Sequence, residues 1–216
     1  DVALADSVVR DIPLSRALMA ATLNDSTLDV QYVRVEAPAL DGSGSGRIEL
    51  DGTRSSWFDY EVGRVDLGLV GERLGRPMSG AMITTGRLTG PTSALAVIGE
   101  ATVTRLDVAD VRALTTTGRY DITFPLDAPA QATARFNGRS SIVELFGQQI
   151  LEAAGTVDYR GGELDVNLDL TAEEARLSGT VAGAFRLRSE DRALDLLRLE
   201  LDISNSAWRL LTDTTP

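Results

Sequence analysis

Histidine, cysteine and lysine are all missing from the 216 residues, so the 21 basic side chains are arginine without exception. Each absence removes a class of chemistry. A Ser-His-Asp or Cys-His relay, a zinc site built from His or Cys, a Schiff-base lysine and a lysine-bearing phosphate loop all need residues this chain lacks. The want of cysteine says nothing about redox compartment, since it suits an oxidising envelope and a reducing cytosol alike. Aromatics are scarce at 5%, so Val, Leu, Ile and Ala must fill the interior, and these bury less area each than rings do. A thin or spread-out core is predicted. Long apolar runs are lacking too. The longest aliphatic stretch, Ala94 to Ile98, falls far short of the ~20 residues a membrane-spanning helix needs.

Thirty-two acids outweigh the arginines to give a net charge of -11, which repels phosphate backbones and argues against a nucleic-acid partner. At 43% apolar and 25% charged, the composition is that of a soluble globular protein. The chain opens at Asp1 without a methionine or a signal-like segment and closes on the polar stretch Thr212 to Pro216. We read residues 1–216 as an excised piece of a longer protein.

Period-two alternation dominates the pattern and puts successive side chains on opposite faces of a sheet. Leu164, Val166, Leu168 and Leu170 alternate with Glu163, Asp165, Asn167 and Asp169. Leu197, Leu199, Leu201 and Ile203 do the same against Arg198, Glu200 and Asp202, and Phe58, Tyr60 and Val62 against Asp59 and Glu61. Leu177, Val181, Phe185 and Leu187 share one face with Gly179 and Gly183, where a missing side chain leaves room for another backbone or a ligand. A Gly-x-apolar-x-apolar motif begins at Gly46, Gly118 (with Tyr120 and Ile122) and Gly155. It suggests a repeat of about 36 residues, room for three or four strands of ordinary length. Arg160-Gly161-Gly162 reads as a tight hairpin turn, and Asp107 to Asp110 and Phe146 to Gln149 as looser ones.

Helix signals are few. Asp11 as cap, Pro13 in the first turn, and Leu14, Leu18 and Ala21 at helical spacing predict a short helix over residues 12–23. A second turn over Leu69 to Leu74 would be stopped by Gly75 and Pro77. Gly42-Ser43-Gly44-Ser45-Gly46 reads as a flexible loop inside the domain.

Candidate chemistry is thin. Asp165-x-Asn167-x-Asp169 opens like a calcium loop but has Leu170 where glycine and Arg176 where glutamate are required, so a strand's wet face explains it. Thr171 to Glu174 reads as an ordinary turn. Arg176, Arg186 and Arg188 could grip lipid phosphates, yet pairing with neighbouring acids on a wet face is their ordinary use. Trp208 reads as core. Paired carboxylates could serve hydrolysis, but no aromatic cluster exists to hold a sugar. No catalytic residue, metal site or cofactor is implied.

A long meander with one apolar face cannot leave that face in water, because each exposed Leu or Val forgoes roughly 1.5–3 kcal/mol of burial. The sheet must close into a packed sandwich or barrel, or curl into a half-open trough. Small aliphatic groups and glycines set into the apolar faces tilt slightly towards the trough, while composition by itself leaves the two nearly even.

The successions Arg76-Pro77-Met78-Ser79-Gly80, Gly86-Arg87-Leu88-Thr89-Gly90-Pro91 and Val97-Ile98-Gly99-Glu100-Ala101-Thr102-Val103 resemble the repeating texture of the TamB proteins in the AsmA-like superfamily. Leu177-Ser178-Gly179, Leu197-x-Leu199-x-Leu201 and Trp208-Arg209-Leu210 are similar to the way that family's repeats end. The resemblance implies a mainly β fold, an elongated antiparallel meander folded as a half-open β-taco groove with one or two short helices. It also implies a periplasmic location in a Gram-negative envelope, in a parent protein anchored in the inner membrane. The groove would shield phospholipid acyl chains between the two membranes, without catalysis. Its lining would be Phe58, Tyr60, Val62, Tyr120, Ile122, Leu164, Val166, Leu168, Leu170, Val181, Phe185, Leu187, Leu197, Leu199, Leu201 and Ile203. Partners implied are adjoining segments of the same chain and an Omp85-type outer-membrane protein, and cut sheet edges would favour end-to-end association of the segment. The rival expectation is a structural or protein-binding β-module that assists outer-membrane protein assembly through edge-strand pairing.

Overall fold

The computed structural model describes residues 2–9, 12–75, 77–108, 111–128, 131–145, 148–171, 178–187, 194–203 and 206–211. Their architecture is one open antiparallel sheet of 14 strands in strict sequence order. The strands are β1 (Val2–Val9), β2 (Ile12–Asn24), β3 (Thr27–Ala37), β4 (Leu40–Glu49), β5 (Ser56–Asp66), β6 (Met78–Gly90), β7 (Leu95–Val108) and β8 (Val111–Phe124). They continue as β9 (Thr133–Leu145), β10 (Gln148–Arg160), β11 (Glu163–Thr171), β12 (Ser178–Leu187), β13 (Leu194–Ile203) and β14 (Ser206–Leu211). At ~4.8 Å per strand step the sheet runs ~62 Å from edge to edge.

One helix interrupts the meander, α1 (Leu67–Leu74). Gly75 ends it in the left-handed conformation, as the sequence predicts for this stretch, while the Asp66 side chain caps it by accepting from the Gly68 and Leu69 amides, so that it starts two residues before the expected Leu69. Asp66→Ala is expected to lower stability by about 1 kcal/mol in denaturant titration, and an unchanged midpoint would show that packing against β6 alone holds the helix.

The predicted helix over 12–23 is not formed. Residues 12–24 are β2, hydrogen-bonded to β1 on one side and β3 on the other. Apolar residues occupy both faces of this strand, with Leu18 and Ala20 on one and Ala17, Met19 and Ala21 on the other. That blurs the alternation and creates helical spacing by coincidence. Neighbouring strands override the cap signal. The Gly42 to Gly46 loop is likewise a strand, β4, paired with β3 and β5. Phe58 and Tyr60 of β5 stand opposite Gly46 and Gly44, and the Phe58 ring covers the place a side chain would take at Gly44. The 36-residue repeat is one hairpin rather than three or four strands. Gly118 lies in β8 and Gly155 in β10, and the strands between are 13 to 14 residues long, over twice the usual length.

The Arg160 turn forms as predicted, with Gly161 (φ 58) and Gly162 (φ 86) at the positive angles a two-residue hairpin demands. Residues 109, 110, 146 and 147, at the two looser turns, and residues 172–177 lie outside the described residues, while Asp107 and Gln149 sit in strands.

The sheet does not close, and strands touch extensively only their sequence neighbours. Accessible surface totals 14059 Å², against roughly 9,700 Å² for a compact globule of this mass. Buried hydrophobics are few and small, such as Ala20, Val30, Ala113 and Val143, and the only fully buried side chain among the described residues is Ser56. This is a single layer without a conventional core.

Candidate functional site

The two faces of the sheet differ. Along β11 exposed and half-buried residues alternate without a break, and β6 repeats the pattern over its first ten residues. A flat single sheet would expose both faces alike, so the sheltered face is the one around which the sheet curls. Register then sets its contents in lateral rows. Phe58, Leu88, Val97, Ile122, Ala134, Tyr159 and Leu164 form one. The next runs Gly44, Tyr60, Gly86, Gly99, Tyr120, Phe136, Val157, Val166 and Gly183. A third runs Val62, Thr84, Ala101, Gly118, Gly138, Gly155, Leu168 and Val181.

Every residue expected to line a groove on β5, β8 and β11 falls on this face, together with Val181 of β12 and with Leu170, which stands opposite Ala153. Phe185, Leu187, Leu199, Leu201 and Ile203 have backbone register on the same face, but their side chains lie outside the described residues. Leu197 is the extra residue of a bulge that shifts the register between Ala184 and Phe185. The shift brings Leu196 and Leu194 into register opposite Phe185 and Leu187. The Trp208 side chain, Leu177, Arg176 and Arg188 lie outside the described residues.

Glycines let the curl happen. A Cβ added at Gly44 would come 2.5 Å from Phe58 Cε1, and one at Gly118 would come 2.5 Å from Phe136 Cζ. Rings therefore lie over bare backbone, the kind of glycine position at which sheets curve. A second device runs across β6 to β10, where Gly80 (φ 131), Arg105 (φ 52) and Ile142 (φ 48) take positive angles and Leu114 and Leu151 share their line. Alternation slips there. Ile142 and Leu151 are left exposed, while Leu106, Ala113, Val143 and Ile150 pack with Ala153 and Leu170.

The outer face carries the charge as cross-strand pairs. Arg87 grips Asp59 with both Nε (2.5 Å) and Nη2 (2.8 Å), Arg47 pairs with Asp29 at 2.7 Å and Arg135 with Asp158 at 2.6 Å. Arg186 spends its guanidinium on Glu163 at 2.9 Å, the ordinary use of a wet-face arginine. A polar recess of about 460 Å³ lies on this side between Glu100, Thr102, Arg119, Asn137, Arg139 and Asp169, with Arg119 and Glu100 paired at 3.1 Å. No group of acids that could hold a metal exists among the described residues.

At the β4–β5 connection Arg54 bridges Asp51 (2.7 Å) and the buried Glu49 (3.0 Å). The Arg54 side chain, then the Thr53 and Arg54 amides, hold the Asp51 carboxyl well below the usual range. The group's contribution is present above about pH 4 and fades as pH falls below it. Asp51→Asn is expected to flatten the acid limb of the stability curve there, and an identical limb would place the acid sensitivity elsewhere.

One polar cluster interrupts the apolar face. The Tyr60 and Tyr120 hydroxyls meet at 2.5 Å above Gly86 and Gly99, and Tyr120 lies 2.6 Å from Thr84 Oγ1. Burial, then the bond to Tyr120, pushes the Tyr60 phenol above its ordinary value. Its contribution is complete below about pH 10 and is lost as pH climbs through the raised value. In an alkaline titration followed by phenolate absorbance, Tyr60→Phe is expected to remove the last tyrosine to ionise. An unaltered curve would contradict this.

No known protein family matches the chain, and no curated protein or solved structure is significantly similar to it. Sequence pattern found the apolar face but missed Thr84, Phe136, Val157 and Tyr159, which only strand register brings beside the others. Their signal was the same alternation, diluted by threonines and glycines.

Proposed function

We propose that the chain is a lipid-conduit segment whose curled apolar face shelters phospholipid acyl chains between inner and outer membranes, without catalysis. The observation that carries this reading is a half-sheltered, largely apolar face that no second layer covers, in a chain exposing roughly 4,000 Å² more total surface than a globule of its mass. An uncovered face lined mainly by apolar side chains marks a binding face. Each methylene moved onto it from water contributes about 0.8 kcal/mol, so a face of this kind lowers the barrier to carrying tails across an aqueous gap. The TamB-like texture of the sequence supports the same reading, with a periplasmic location and an inner-membrane-anchored parent.

The test is to purify the folded protein from a Gram-negative host, extract it with organic solvent and search the extract for phospholipid by mass spectrometry. Phospholipid at a stoichiometry that falls in Val166→Asp is expected, and a clean extract from folded protein would overturn the proposal. A second reading is favoured by the two sheet edges, since among the described residues β1 and β14 each have one neighbour. Such edges template strand addition by adjoining segments of a longer chain, a second copy or an outer-membrane partner of the Omp85 type.

A further inference from the structure

The hydroxyl cluster in the apolar face has a fixed polarity. Thr84 Oγ1 lies 2.8 Å from the Glu100 carbonyl oxygen, which only accepts, so the single Thr84 proton is committed there. The 2.6 Å contact between Thr84 Oγ1 and the Tyr120 hydroxyl must then carry the Tyr120 proton. By the same reasoning the 2.5 Å contact between the two phenols carries the Tyr60 proton. The relay runs one way, from Tyr60 through Tyr120 and Thr84 to the Glu100 carbonyl, and every proton in it is spent. The Tyr60 oxygen stands at its head with lone pairs that no donor among the described residues fills.

Donation along such a chain makes each oxygen a better acceptor. The head is therefore a polarised acceptor with no proton to give. It sits between apolar rows, with Phe58, Leu88, Val97 and Ile122 on one side and Val62 and Ala101 on the other. Acidic side chains on the same strands, Asp59, Glu61 and Glu100, alternate onto the opposite face. The short threonine and the glycines at 86 and 99 let both rings lie down and meet. Two bulky residues there would hold the phenols apart.

We infer that the Tyr60 oxygen is a recognition point for a hydrogen-bond donor carried on an aliphatic chain, a hydroxyl-bearing amphiphile that lies along the apolar rows with its O–H directed at Tyr60. This rests on the reading of the face as an acyl-chain surface and adds a polarity to it: the face selects for molecules that donate and against those that only accept.

The test compares 1-decanol with its methyl ether, which is of similar length and accepts but cannot donate, in displacing a fluorescent fatty acid from the folded protein. The alcohol is expected to compete about fivefold better, the worth of one modest hydrogen bond. Tyr60→Phe alone leaves the Tyr120 oxygen as a proton-committed acceptor and should only weaken the preference, whereas Tyr60→Phe combined with Tyr120→Phe should abolish it. Thr84→Val, close to Thr in shape, should also erode it, because the relay then has a spare proton that the ether can accept. A purely structural role for the cluster would lower stability in these variants and leave the ratio of the two affinities untouched. Equal competition by alcohol and ether against wild-type protein overturns the recognition point and leaves the acyl-chain surface standing. Failure of the fatty acid to bind, or of both decyl compounds to displace it, overturns both.

Discussion

Gly155→Val is expected to lose the folded middle of the sheet. Gly155 holds φ at 154, an angle side chains other than hydrogen rarely adopt, and a Cβ there would run into the Asn167 carbonyl of β11. Asn167 is the neighbour of Leu168, which is the register partner of Gly155, so the clash cannot be relieved by a flexible side chain and must move backbone. Strain and collision together place the cost at ~4 kcal/mol or more, among the largest single-residue effects. Gly63→Ala is the control, since an added Cβ at Gly63 meets nothing within 4 Å. It is expected to be neutral or to stabilise by up to about 1 kcal/mol through the unfolded state. Denaturant titration of both separates a specific crowding against β11 from a general intolerance of side chains at glycine. Similar small effects in the two variants would show that Gly155 is not crowded against Asn167 as described.

Leu168→Asp is expected to leave the fold standing and to weaken acyl-chain binding at least tenfold. Leu168 is half-buried on an unlayered face, so truncating it forfeits about 1–2 kcal/mol of burial, and the new carboxylate keeps access to water. In a dry interior the same carboxylate would cost far more and unfold the chain. Circular dichroism and a fluorescent fatty-acid titration on one preparation distinguish the cases. Loss of secondary structure along with binding would mean that Leu168 lies in a packed core. A folded variant with undiminished binding would mean that the lipid goes elsewhere.

The faces of this sheet were legible in sequence wherever alternation is clean and long. Leu164 to Leu170 and Phe58 to Val62 alternate without interruption, and both stretches sit where the pattern puts them. The strand count and the hairpin length were not legible, because glycine-rich and threonine-rich stretches such as Gly42 to Gly46 and Thr115 to Gly118 carry little hydrophobic signal of their own. Their strand character comes from rings donated by neighbours, Phe58 in one case and Phe136 in the other, and ring donation depends on register. β2 was misread for the related reason that apolar residues on both of its faces hide a period of two. The slips at Arg105, Ile142 and Leu197 leave no mark in composition at all. The Tyr60–Tyr120 relay joins strands three places apart and 60 residues distant, a meeting that only the full strand order predicts.

The most direct test of the central claim is a photocrosslinking scan along β11, residue by residue from Glu163 to Leu170, with the folded protein exposed to lipid in the envelope or to phospholipid vesicles. If the curled face carries acyl chains, lipid adducts form at 164, 166, 168 and 170 and are absent at 163, 165, 167 and 169, the alternation of exposure seen along that strand. Adducts spread evenly over both sets, or none at the even positions of a folded protein, would contradict the account.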